Sequence, residues 1–195
     1  METQIWLGAK MTEQRAVRNR EDRAKLLATI TPHENEALAF LLPLSADYPG
    51  FEDWYLTRVV PGLRNRSRQL VRIERDGSLI GVGIGKKDET ESKICTVRIA
   101  ESHFGRGLGL RVFDALLDWL GSDRPHLTVS ESKLPAFERI FEYYKFQMTS
   151  AHTGLYVRDA VELAYNELES SSTTPSKLSS SLASAKTNGT FRCVA

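Results

Sequence analysis

The sequence predicts an α/β domain with a mixed, mostly antiparallel sheet, and three stretches carry that expectation. Residues 92–120, SKICTVRIAESHFGRGLGLRVFDALLDWL, read as a strand, a glycine turn and a helix in succession. Leu70 to Arg75 and Leu79 to Lys86 read as two strands joined at Asp76-Gly77, a pair suited to a type I′ hairpin turn. His126 to Ser130 reads as a short strand, followed by a helix with an apolar stripe of Leu134, Phe137, Ile140, Phe141 and Tyr144. With 41% apolar residues in 195, one domain with a real core plus tails is expected.

In chain order, residues 1–33 read as a charged helical extension, with Met11 to Ile30 as a helix bearing a solvated face. Leu38 to Leu42 is expected as a first strand. Phe51, Trp54, Tyr55 and Val59 share one helix face, and Pro61-Gly62 is expected to end that helix. Gly81, Gly83 and Gly85 lie on one face of the strand after the hairpin turn, leaving room there for a neighbouring helix or a ligand. In the central stretch, Ile94 to Ala100 is rich in β-branched residues. Val112, Phe113, Leu116, Leu117 and Leu120 then recur at helical spacing until Gly121 stops the helix. Ser132 is placed to cap the next helix, with Pro135 in its first turn. Phe146 to Ser150 and Gly154 to Arg158 are expected as closing strands, so the domain spans 34–168. Residues 169–195 form a Ser/Thr-rich tail too poor in large apolar groups to fold.

Composition narrows the function. A net charge of +1 argues against action by bulk electrostatics. No stretch approaches the roughly 18 apolar residues of a membrane span, and Gln14 to Lys25 is too charged for a signal core, so a cytoplasmic protein is expected. Cys95 and Cys193 have no C-x-x-C or histidine spacing that would hold a metal. His103 and His126 are single histidines, more often structural than catalytic.

The glycine turn carries the chemistry. A helix N-terminus leaves amides unpaired and is partly positive, and Gly105, Gly107 and Gly109 remove the side chains that would keep an anion away. A diphosphate cradle is therefore expected over Phe104, Gly105, Arg106, Gly107, Leu108 and Gly109. A dinucleotide turn would need its third glycine at Leu110, and Gly81, Gly83, Gly85 and Lys86 lack the Walker A spacing. The acyl-CoA loop [QR]-x-x-G-x-[GA] fits Ser102-His103-Phe104-Gly105-Arg106-Gly107 at its glycines, with Ser102 in place of Gln or Arg.

From Glu36 to Arg158 the chain resembles the GNAT acyltransferase superfamily. The matching segments are Asp47-Tyr48-Pro49-Gly50-Phe51 with Trp54-Tyr55, then Lys93-Ile94-Cys95-Thr96, then Thr128-Val129-Ser130-Glu131. The resemblance implies a sheet splayed between its fourth and fifth strands, helices on both faces, and acetyl-CoA as co-substrate. Backbone groups of Val97, Arg98 and Ile99 would then pair with the pantetheine amides. It implies N-acetyl transfer by direct attack of an amine, borne by a small molecule or a protein, on the thioester. Freeing the lone pair of a lysine-like amine costs about 4–5 kcal/mol at neutral pH. Glu131 is the candidate base by position. The family often uses a tyrosine acid in a Y-x-x-x-G-F setting; here Phe141 takes the Tyr place and Lys145 the Gly place, which makes Tyr144 the substitute acid. Two alternatives stay open. Arg58, Arg64, Arg66, Arg68 and Arg72 suggest a nucleic-acid acceptor, tRNA or DNA, and Phe141 with Lys145 suggests a CoA-binding regulatory module without catalysis.

Overall fold

Thr31 opens helix α1 (Pro32–Leu41), and the reason is local. Its hydroxyl accepts from the Glu34 amide, the Glu34 carboxylate accepts from the Thr31 amide at 2.7 Å, and Pro32 fills the first turn. Residues 38–42 are therefore helix and turn, where a strand was expected. The structure, a computed structural model, describes residues 24–167. Within the expected N-terminal helix, residues 24–29 are helical and the part before residue 24 lies outside the described residues, as does the tail 169–195. The boundary expected between 33 and 34 falls inside α1.

The second helix, α2, runs through Phe51–Trp54, a π-helical turn Tyr55–Val59, and Val60–Arg64. Pro61 does not end it. The wider turn lets the Val60 amide reach back five residues to the Tyr55 carbonyl, and the helix continues through Pro61, which stands in the first turn of the segment that follows. Phe51, Trp54, Tyr55, Leu56 and Val59 are buried against Val82, Ile84 and Cys95 of the sheet.

Strands β1 (Arg68–Arg75), β2 (Ser78–Lys87) and β3 (Ser92–Ile99) form an antiparallel sheet in that order. Asp76 and Gly77 both take positive φ, 52° and 72°, as a type I′ turn requires. The face carrying Gly83 and Gly85 is covered by a helix, α3 (Leu108–Leu120). A Cβ on Gly83 would stand 2.4 Å from Val112 and 3.0 Å from Leu116, so the glycines set how closely α3 packs.

After Gly121, which ends α3 at φ 64°, come β4 (Leu127–Ser130), α4 (Leu134–Tyr144), β5 (Met148–Thr153) and β6 (Val161–Tyr165). The last strand is thus 161–165, and 154–160 is the turn before it. Ser132 does not cap α4; Lys133 holds that place, and the Ser132 hydroxyl meets that of Ser130 at 3.0 Å. These strands form a second antiparallel sheet, ordered β4-β6-β5. The two sheets meet where β3 and β4 run parallel, at one bridge between Lys93 and His126. Helices cover both faces: α3 and α4 with Ile94, Val97, Leu127, Val129 and Leu163 on one side, α1 and α2 on the other.

Candidate active site

The parallel junction closes at one end only. The Ile94 amide donates to the His126 carbonyl at 3.0 Å, and the His126 amide donates to the Ser92 carbonyl at 2.9 Å. Beyond His126, among the described residues, no backbone bond joins β3 to β4. The strands splay there, at the expected segments, which are the third and fourth strands rather than the fourth and fifth because the segment expected as the first strand is helical, and direction follows from the ladder. The Ala100 amide bonds the Ile80 carbonyl, so alternation turns the backbone of Thr96 and Arg98 toward β2, and that of Val97 and Ile99 into the splay. Arg98 thus departs from expectation: its backbone pairs with β2, and its guanidinium reaches across to the Phe40 carbonyl of α1.

A charge cluster holds the closed end. Glu91 accepts from Lys86 at 2.7 Å and from His126 Nδ1 at 3.0 Å, and faces the ammonium of Lys93, which is only 3% exposed, at 3.5 Å. The hydrogen bond from His126 leads the causes that hold the Glu91 carboxyl well below its ordinary range; burial opposes it, and the two lysines add to it.

The glycine loop continues directly from β3. The Phe104 amide is occupied, donating to the Glu101 carbonyl at 3.1 Å, and the Phe104 ring is exposed. From Gly105 to Leu110, no described group accepts from the amides; the helix ladder starts with Arg111 donating to Gly107. Gly105 and Gly107 take φ of 74° and 73°, with Arg106 between them at ordinary φ, an alternation that turns successive amides into one hollow. A Cβ on either glycine would meet nothing within 4 Å, so the hollow is open. Gly109 serves packing as well, because a Cβ there would lie 2.8 Å from Ile140 of α4.

The expected acid and base are not brought together by any contact. Glu131 follows β4 directly and is exposed; its amide donates to the Val161 carbonyl at 2.9 Å. The Tyr144 hydroxyl donates to Asp114 at 2.6 Å on the exposed side of α3, and burial together with that bond raises its pKa, making it a weaker acid. Phe141, 2% exposed, is packed among Phe113, Phe137, Phe146 and Tyr165.

Of the five arginines, Arg64 is paired with Glu34, and Arg72 joins Glu36, Glu74 and the His33 carbonyl. Arg68 lies over the Trp54 ring at 5.5 Å. Two of the five charges are thus answered by carboxylates within the domain, while Arg58 and Arg66 are exposed.

Sequence reading missed Glu162 of β6. It is 2% exposed, its Oε1 accepts from the Tyr48 hydroxyl at 3.3 Å, and its Oε2 is buried without a partner among the described residues. Burial, opposed by the Tyr48 bond and reinforced by the charge of Asp47, pushes its carboxyl up to about 7. The one available signal was the alternation in Val161-Glu162-Leu163-Ala164-Tyr165, which marks a strand but not a buried acid.

The acetyltransferase (GNAT) family model matches residues 25–143, more than half of the chain. The chain belongs to this family. Among curated proteins, no sequence matches. Solved structures show the same fold. A GNAT-family protein from Desulfovibrio desulfuricans superposes with a TM-score of 0.54 at 16% identity, covering 70% of this chain and 93% of that one. An aminoglycoside 6′-N-acetyltransferase in complex with coenzyme A gives 0.53 at 13%, covering 69% and 90%. The Enterococcus faecium aminoglycoside 6′-N-acetyltransferase gives 0.52 at 11%, covering 68% and 88%.

For a GNAT domain, the substitution at 145 has a backbone explanation. Lys145 ends α4 at φ 55°, a left-handed position where glycine is the least strained choice. Lys145 thus holds the helix stop that a glycine would supply there. Phe141 is different, because a phenyl ring in the aromatic core has no proton to give.

Proposed function

We propose that this chain transfers an acetyl group from acetyl-CoA to the nitrogen of an amine by direct attack, with both substrates bound together and no acyl-enzyme. The observation that carries the reading is the continuity of two open backbone surfaces: unpaired amides at 105–110, and, directly before them in the chain, the unpaired edge of β3 at Val97 and Ile99. CoA has a diphosphate, suited to amides at a helix N-terminus, and an arm with two amides, suited to an added strand. The residues present fit it. Gly105, Arg106, Gly107, Leu108 and Gly109 would hold the diphosphate, and Val97 and Ile99 the arm. When bound, acetyl-CoA supplies an activated acyl carbon. An amide of the β3 edge is then a donor for the oxyanion, and Cys95, 2% exposed, is too buried to serve as a nucleophile. Glu131, exposed just after β4, would take up protons from the acceptor side through water.

The test follows thiol release from acetyl-CoA with and without a panel of amines: an aminoglycoside, a polyamine and a lysine peptide. Release that requires an amine is the expected result. Tight CoA binding with no release on any amine would leave a CoA-binding module instead.

Tyr144→Phe decides the role of that hydroxyl. A proton donor to the leaving thiolate would cost roughly tenfold or more in turnover with CoA affinity unchanged. Because the proton is committed to Asp114, the expected result is turnover within about threefold of wild type and a loss of about 1 kcal/mol in unfolding free energy.

A further inference from the structure

The face of the second sheet that looks toward α1 and α2, opposite to the face packed on α3 and α4, carries a polar cluster. Leu127, Val129, Leu163 and Tyr165 pack with α3 and α4, so alternation turns Thr128, Ser130 and Glu162 to the other side. Glu162 stands in register with Ser130, the last residue of β4, and hence beside the open end of the splay. Its roof comes from two turns. Tyr48 precedes α2, Tyr156 belongs to 154–160, and their rings meet edge-on at 5.3 Å. The other charged and titratable groups facing it are few. Asp47 has the same sign and is paired with Lys133 at 2.9 Å. His152, opposite Glu162 on β5, has its Nε2 at 2.8 Å from the Ser150 hydroxyl. Among the described residues none brings a cation to Glu162 Oε2. A buried carboxylate oxygen with no hydrogen-bond partner among the described residues, beside Tyr48 and the Tyr156 ring that Tyr48 meets, is complementary to an ammonium group.

Resting on the acetyl-transfer reading above, we propose that Glu162 Oε2 receives the ammonium of the acceptor beneath Tyr48 and Tyr156 and removes one of its protons. The acceptor class is then a cationic primary amine, entering from the α1 and α2 side, opposite the cofactor. Tyr156 is half-buried on a turn whose Leu155 and Val157 are exposed, so a surface turn separates the seat from solvent. The protons balance. One passes from the ammonium to Oε2, and the freed lone pair forms the C–N bond to the acyl carbon as the C–S bond breaks. A second passes from nitrogen to the departing thiolate, and the carboxyl returns its proton to water. A carboxyl titrating near neutrality suits that loading and unloading.

Glu162→Gln keeps the shape and removes the charge. The experiment measures CoA affinity by calorimetry, the amine-dependent rate from pH 6 to 9, and the carboxyl titration by NMR of glutamate-labelled protein with and without propylammonium chloride. Expected are CoA affinity within about twofold of wild type, an amine-dependent rate at least roughly a hundredfold lower, and loss of the rate limb near pH 7. Propylammonium should lower the apparent pKa of one carboxyl in wild type, and that signal should be absent in Glu162→Gln. Glu162→Asp, which keeps a charge on a shorter stem, should recover part of the rate. The proposal fails if Glu162→Gln acetylates amines at the wild-type rate. It fails equally if wild type binds CoA but acetylates no primary amine of the panel and propylammonium leaves the titration unmoved. Failure to bind CoA would overturn the acetyl-transfer reading instead, and the propylammonium titration would still report on the ammonium seat.

Discussion

Gly107→Val lowers the affinity for CoA by about thirty- to a hundredfold, read by calorimetry, while the domain keeps its fold. The position has φ 73° and caps α3, with open space where a side chain would go. A valine there has two choices. Keeping the left-handed backbone strains a β-branched residue by about 1–3 kcal/mol and puts its methyl groups in the hollow where the diphosphate would lie. Relaxing the backbone turns the amides out of the hollow. Either way about 2–3 kcal/mol of binding is lost, which gives the stated range. Gly109→Ala is the contrasting variant, because its added methyl would meet Ile140 of α4 and act on packing rather than on the hollow. Unchanged CoA affinity in Gly107→Val would remove the glycine loop from the binding site.

The parts of this site that are legible in the sequence are those whose geometry is set by neighbours in the chain. Strand, glycines and helix follow one another from 92 to 120, and each type of residue has a local reason to be where it is. The Thr31 and Glu34 capping box is equally local, and it makes a helix of the apolar run at Leu38 to Leu42 that on its own reads as a strand. What could not be read were pairings across long separations. The partner of Arg64 is Glu34, 30 residues upstream, and a partner of Arg72 is Glu36, 36 residues upstream, so the sequence does not show that these two of the five arginines are ion-paired. Tyr48 and Glu162 are 114 residues apart, and a glutamate in an alternating strand looks solvated until the face it shares with Tyr48 is known. Pro61 shows a different limit, since whether proline stops a helix or widens one turn depends on the packing that holds the next turn in place.

Glu91→Ala should lower the unfolding free energy by about 3 kcal/mol near neutral pH, because it leaves Lys93 buried and His126 Nδ1 without its acceptor. The amides of Ile94 and His126, which form the junction between the sheets, should exchange faster with solvent in the same variant. The pH dependence gives the sign. The Glu91 carboxyl has a lowered folded pKa, so its contribution is fully present above the unfolded value of 4.5 and is lost as pH falls below it. Glu162 acts in the opposite sense. Its folded pKa is raised from 4.5 to about 7, so its contribution is complete below 4.5 and declines as pH rises through 7. Of these two groups, one erodes stability on the acid side and the other on the neutral side, which puts the maximum between them, near pH 5. Denaturant unfolding from pH 3 to 8 therefore separates them: Glu91→Ala flattens the acid limb, and Glu162→Gln flattens the decline between pH 5 and 7 and moves the maximum upward. A Glu162→Gln curve that keeps the wild-type decline would mean that Glu162 is already ionised in the folded chain at pH 5, and so already has a partner for its charge.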